Sequence, residues 1–247
     1  MDEKIAATKF LPLPAGEHLE LAWCPPGTFH MGSELDGKHV SSIEAPKHRR
    51  AIKRGFWIGL HTVTRNQWRA VMGDEPLPLD RGEIADRLPV VGVSWLHALE
   101  FVERINRYNP GLRAHLPSEA QWEYACRGGT ETSWFFGDEM QNLERYAWTR
   151  ETSADDIKPV GLLKPNPWGL FDVYGNVSEW CADDFEKYGR IDDDTSAVVE
   201  GSTSKIARGG SFDQPAWACR SSSREIIAQE NPFNESVGLR VAVDASK

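Results

Sequence analysis

The feature that most constrains this chain is its second half. From Gly128-Gly129 onward there are many Gly, Pro, Asn, Asp and Trp residues and little clear periodicity. This pattern suits irregular coil with short strands rather than a layered α/β sheet. Loops of such length in a compact domain are either functional or disordered. Trp134, Trp148, Trp168, Trp180 and Trp217 make this one too aromatic for disorder. It has to be packed. Indoles bury large areas and their N–H groups need partners, so the tryptophans are expected to peg the loops onto the domain, with an aromatic binding platform as the alternative.

The first half carries the regular elements. Leu19 to Met31 alternates apolar residues around Pro25-Pro26-Gly27 and reads as two short strands and a turn. Thr64 is placed to cap a helix through Asn66, Trp68, Val71 and Met72. Ser94 does the same for Trp95 to Asn109, where Ala98, Leu99, Val102 and Ile105 recur at helical spacing. Ser118 opens a third helix that stops at Gly128-Gly129, with Glu119 and Glu123 suited to the positive end of its dipole. Residues 1–18 are expected to be a loosely held lead-in, and 19–247 a single domain.

With 247 residues, 40% hydrophobic and 26% charged, the chain has enough apolar material for a real core. The formal charge of −9 sets any nucleic-acid site against an unfavourable field, so no nucleic-acid partner is expected. The basic stretch Lys47 to Arg54 runs into Phe56-Trp57-Ile58-Gly59 and is expected to be a solvated strand edge. No window reaches the ~18 apolar residues of a membrane span, and the N-terminus is too acidic for a signal peptide; a cytoplasmic protein away from membranes is expected. Cys24, Cys126, Cys181 and Cys219 include no CxxC pair, so free thiols are expected.

Seven motifs rise above this background. Cys24-Pro-Pro-Gly-Thr-Phe-His-Met-Gly-Ser33, Gly55-Phe-Trp-Ile-Gly59 and Pro89-Val-Val-Gly-Val-Ser-Trp95 are followed by Leu116-Pro-Ser-Glu-Ala-Gln-Trp-Glu-Tyr-Ala125. Then come Asn166-Pro-Trp-Gly-Leu-Phe-Asp172 with Gly175-Asn-Val-Ser-Glu-Trp180, Arg208-Gly-Gly-Ser211 and Val237-Gly-Leu-Arg-Val241. In order and spacing they resemble the formylglycine-generating enzyme, or sulfatase-modifying factor, family from about Leu19 to the C-terminus. The resemblance implies an α+β domain of C-type-lectin-like fold, low in regular secondary structure, with helices in the first half and short antiparallel strands.

For function, the resemblance leaves a choice, because fold alone does not select among a family's activities. In the family's oxidases two cysteines about five residues apart follow the Gly-Gly-Ser motif and hold Cu(I). Here those positions are Gln214 and Cys219. A lone thiolate beside an amide makes a poor Cu(I) site, so copper is not expected. The main expectation is a module that binds a protein, a peptide or a small ligand through the 211–236 face. Asp213, Gln214, Trp217, Arg220, Ser222, Arg224 and Asn231 serve there as recognition residues: Arg supplies a planar fork, Trp a rigid surface, Ser and Asn adaptable hydrogen bonds. The alternative is an oxidoreductase using Cys219 and a metal, with Ser211 and Trp217 lining its pocket.

Some relatives diversify this face by adenine mutation, but Gln214, Trp217, Glu225, Gln229 and Glu230 cannot arise from asparagine codons that way, which makes a variable binding protein the lesser alternative. The resemblance also implies a structural calcium held at Asp172, Gly175, Val177 and Glu179, a set of oxygen donors that such an ion takes. Against it, the cluster Asp192-Asp193-Asp194 shows that acidic residues are common in this chain.

Overall fold

Each of the three helices begins where its cap was expected, and each cap is reciprocal. The computed structural model describes residues 7–35, 39–74, 76–77, 82–188, 203–231 and 234–245; the Asp192-Asp193-Asp194 cluster lies outside them. Thr64, Ser94 and Ser118 accept from the backbone N–H three residues on, while Gln67, His97 and Gln121 reach back to the cap N–H. These boxes start α1 (Arg65–Met72), α2 (Trp95–Tyr108) and α3 (Glu119–Arg127), satisfying two orphan donors per helix. Left-handed Gly73 and Gly128 end α1 and α3.

The strands build two mixed or antiparallel sheets and a hairpin. β1 (Thr8–Pro12), β2 (His18–Cys24), β5 (Phe56–Gly59), β11 (Ala242–Asp244) and β6 (Ala114–His115) lie in the order β1-β2-β5-β11-β6, all antiparallel. β7 (Ser178–Asp184), β8 (Ser204–Arg208), β9 (Arg224–Ala228) and β10 (Val237–Leu239) form a second sheet in the order β10-β7-β8-β9, with β10 parallel to β7. β3 (Gly27–Met31) pairs with β4 (His48–Ile52).

Two expectations change here. Residues 8–12, assigned to the lead-in, pair along their whole length with β2, because Leu11 and Leu13 bury in the core beside Leu19 and Leu21. The basic stretch does form a strand, but Arg50 within it is buried rather than solvated.

The coil is packed as its composition requires. Between Arg127 and Ser178 the described chain has no α-helix or named strand, only a 3-10 segment, Met140–Arg145. Trp134 and Trp180 are buried and donate their indole N–H groups to the carbonyls of Cys219 (2.5 Å) and Val93 (2.9 Å). Trp148 and Trp168 are half-buried, and Trp217 is exposed. Asn166 shows how the motifs hold the coil. Its amide donates to the Ala125 and Cys126 carbonyls, the orphan acceptors at the end of α3, and its oxygen accepts from the Trp168 and Leu170 N–H groups. The molecule is therefore an α+β domain whose coil after α3 is fastened to α3 and to the 209–221 segment that follows β8.

Candidate functional site

A pocket of about 360 Å³ opens between the turn at residues 39–44 and the segment after Gly210. β8 and β9 form one wall through Ala207, Arg208, Arg224 and Glu225. Gln214, Pro215, Trp217 and Ala218 form the other, and His39 and the buried Glu44 complete the lining.

Gly210 sets the centre. Its φ of +72° is a conformation few side chains adopt, and a Cβ there would stand 2.6 Å from Cys219 Sγ and 3.2 Å from Gln214 Oε1. Cys219 and Gln214, nominated from sequence as the two positions of a metal pair, thus flank one glycine. Cys219 is fully buried, with Sγ 3.8 Å from the Pro215 carbonyl. Burial first, and then the charge of Glu151, push its thiol up to about 12. One protonated thiol beside an amide does not fit a two-thiolate Cu(I) centre. Among the described residues no group of three or more His, Cys, Asp or Glu side chains is placed to hold a metal ion.

The two arginines expected as recognition forks are already committed inside the protein. Arg220 forms a buried bidentate pair with Glu44 (2.8 and 2.9 Å), and its remaining N–H groups go to Ser222 Oγ and the carbonyls of His39 and Trp217. All five of its donors are used. Arg224 pairs with Glu119 (2.6 and 2.8 Å) and donates to the Ile43 carbonyl. Ser222 is buried and donates to Glu44. Ser211 is buried and donates to Asp213 (2.5 Å), so it ties its own turn. Asn231 is half-buried beyond β9 and does not line the pocket, and neither does Asp213. Gln214 and Trp217 do, and Trp217 is 43% exposed and stacked on His39 at 5.4 Å.

His39, Glu44 and Glu225 are polar pocket residues that were not nominated from sequence as recognition groups. His39 and Glu44 lie far away in the chain; only the Ser41–Glu44 capping box marked that turn. Glu225 follows Arg224 on β9 and accepts from Ser178 Oγ (3.0 Å) and Gln214 Nε2 (3.1 Å). Its carboxyl is raised above the usual range, mainly by burial.

The four positions of the expected calcium cage lie apart from this pocket, and their carboxylates are differently placed. Glu179 receives Arg240 through Nε and one terminal nitrogen (2.6 to 3.0 Å) and the Trp122 indole N–H (2.6 Å). The rest of Arg240 donates to the carbonyls of Gly59, Leu60 and Phe171. Asp172 accepts from the Gly161 N–H through one oxygen, and its other oxygen is buried without a partner; burial raises it to about 6. Gly175 holds the turn closed because a Cβ would meet the Trp148 carbonyl at 2.1 Å. Val177 is buried. With Glu179 already neutralised by Arg240, these residues do not fit a dication shared between both carboxylates.

The family model of the sulfatase-modifying factor enzyme 1-like domain matches residues 8–245. Among curated relatives, the chaperone protein LppX of Paenibacillus barcinonensis is 28% identical over 64% of this chain and 75% of its own length. The formylglycine-generating enzyme of Mus musculus is 26% identical over 85% of this chain, and the match spans only 57% of that enzyme. Among solved structures, Treponema denticola variable protein 1 superposes with a TM-score of 0.85 at 23% identity, covering 97% of this chain and 99% of that one. No described helix is long and apolar enough to cross a membrane.

Proposed function

The chain belongs to the sulfatase-modifying factor, or formylglycine-generating enzyme, family, and from that premise we propose that it is a ligand- or protein-binding module using the pocket beside Gln214, Trp217 and Cys219. The observation that carries this reading is the Gly210 centre, where one buried thiol raised to about 12 faces a glutamine amide. A thiolate is the metal ligand and the nucleophile, and this site favours the protonated form. The pocket itself has the size of a small-ligand site, about 300 to 1,000 Å³.

The test is Cu(I) titration of the reduced protein against a competing chelator, with oxygen uptake followed in the presence of a thiol peptide. This reading expects neither tight copper binding nor turnover. Stoichiometric copper binding lost in Cys219→Ala, with oxygen consumption, would establish the oxidoreductase alternative instead. That alternative has support in the formylglycine-generating enzymes among the relatives and in Cys219, buried directly behind the pocket residue Gly210.

Calcium is not part of the proposed function, because Arg240 supplies Glu179 with its cation. Millimolar calcium is expected to leave the Tm of EDTA-treated protein unchanged. A rise of several degrees that disappears in Asp172→Ala would restore the ion.

A further inference from the structure

The charges around the pocket are unevenly balanced. Arg208, Arg220 and Arg224 all line it, and each head is held by an internal carboxylate: Arg208 by Glu123, Arg220 by Glu44 and Arg224 by Glu119. Arg208 also donates to the Ser221 and Ser222 carbonyls, and its Nε is buried without a partner. Among the described residues, every cationic head that lines the pocket therefore already has an internal counter-charge.

Glu225 is the exception among the pocket's carboxylates. Both groups that donate to it, Ser178 Oγ and Gln214 Nε2, are neutral and reach the same oxygen, Oε2. The neighbouring charge that acts on it most is Asp213, which is of like sign. Among the described residues no cation pairs with it. A carboxylate inside a partly dry concavity acts on a ligand with little screening. At the mouth the Trp217 indole is 43% exposed and braced by His39. Ile43, Ala207, Pro215 and Ala218 add apolar lining.

We infer that this pocket takes an organic cation, an ammonium or guanidinium group on an apolar stem, with Glu225 as its counter-charge and Trp217 over its stem. The inference rests on the binding reading and names its ligand class. Aromatic faces attract cations within about 6 Å, and a carboxylate accepts a guanidinium through two parallel hydrogen bonds. Gln214 holds the carboxylate in position from the side, which gives the amide at this position a structural use. The cation has two sources, a free amine or a basic side chain of a peptide, and the pocket chemistry is common to both.

The experiment is isothermal titration calorimetry on the full chain with four probes. Agmatine represents the free amine, N-acetyl-arginine amide the peptide side chain, N-acetyl-citrulline amide its neutral isostere, and succinate an anion. At least one of the two cations is expected to bind saturably, with the citrulline compound tenfold or more weaker than the arginine compound when the latter binds. Glu225→Gln, which keeps the shape and the contacts to Ser178, is expected to weaken cation binding at least tenfold. Trp217→Ala alters an exposed residue and serves if the first variant does not fold; it is expected to weaken binding about fivefold.

Equal binding of the arginine and citrulline compounds, preference for succinate, or unchanged affinity in Glu225→Gln overturns the cation assignment and leaves the binding reading intact. No heat from either cation up to about 10 mM, beyond the weakest useful affinity, also overturns it. Copper uptake with oxygen consumption in the separate titration would instead remove the binding reading.

Discussion

Cys219 is the residue on which the two functional readings divide, and its surroundings make a direct prediction. A thiol raised to about 12 leaves only about one molecule in ten thousand as thiolate at pH 8. Iodoacetamide is therefore expected not to label Cys219 in the native protein, and to label all four cysteines once the chain is unfolded in denaturant. Rapid native labelling of Cys219 would mean that the pocket opens to solvent and activates the thiol, which the oxidoreductase alternative needs. His61 gives the second prediction at this scale. Burial, then the charges of Arg240 and Arg87, hold its imidazole down to about 4, while in the unfolded chain it protonates near its ordinary value of about 6.5. Between those values the unfolded state binds more protons than the folded one, so stability from this residue is complete above about 6.5 and is lost as the pH falls toward 4. The loss is about 2 kcal/mol after allowance for the ring's partial exposure. Urea unfolding at pH 7 and pH 4.5 is expected to differ by that much less in His61→Gln than in the parent chain.

At the scale of elements, the helix starts carried their own signal. A hydroxyl three residues before Gln67, His97 or Gln121 is a local pattern, and local patterns survive folding because both partners sit within one turn. The Asn-Pro-Trp-Gly motif is less local. Asn166 reaches across 40 and 41 residues to the last turn of α3 while holding its own loop. Asn166→Ala removes four hydrogen bonds from a buried position and leaves two carbonyls without donors, an expected cost of about 3 kcal/mol. Asn166→Asp keeps the acceptor but sets a carboxylate against those carbonyls, so it is expected to be no better. Chemical denaturation of the two variants checks this; a loss below 1 kcal/mol in Asn166→Ala would show that water replaces the side chain. The same comparison explains what the sequence hid. Arg220 and Arg224 read as free recognition forks because their partners, Glu44 and Glu119, lie 176 and 105 residues away. Gln214 and Trp217 were nominated through the family resemblance, which implies a pocket face after the Gly-Gly-Ser motif, and both line the pocket. Glu225 was not nominated, since its distinction is the lack of a cation, which only the folded arrangement reveals.

For the whole molecule, the Glu44–Arg220 pair joins the first fifth of the chain to the segment that carries Cys219. Both side chains are almost fully buried, at 4% and 6% exposure. Burying two charges is costly, and such a pair contributes less net stability than its geometry suggests, whereas removing one partner leaves the other uncompensated. Glu44→Met should therefore cost about 3 to 5 kcal/mol, and Arg220→Met a similar amount. The double variant Glu44→Met with Arg220→Met should recover much of that loss, because no charge remains stranded and the volume is kept. The recovery would be incomplete, since the Arg220 donors to the His39 and Trp217 carbonyls and the Ser222 contact to Glu44 are also lost. A double-mutant cycle by urea denaturation measures the coupling directly. A coupling energy of 2 kcal/mol or more would identify the pair as the clasp that brings His39 against Trp217 and closes the pocket mouth. Simple additivity of the two losses would mean that each residue holds its own segment and that the mouth is shaped by the surrounding backbone contacts instead.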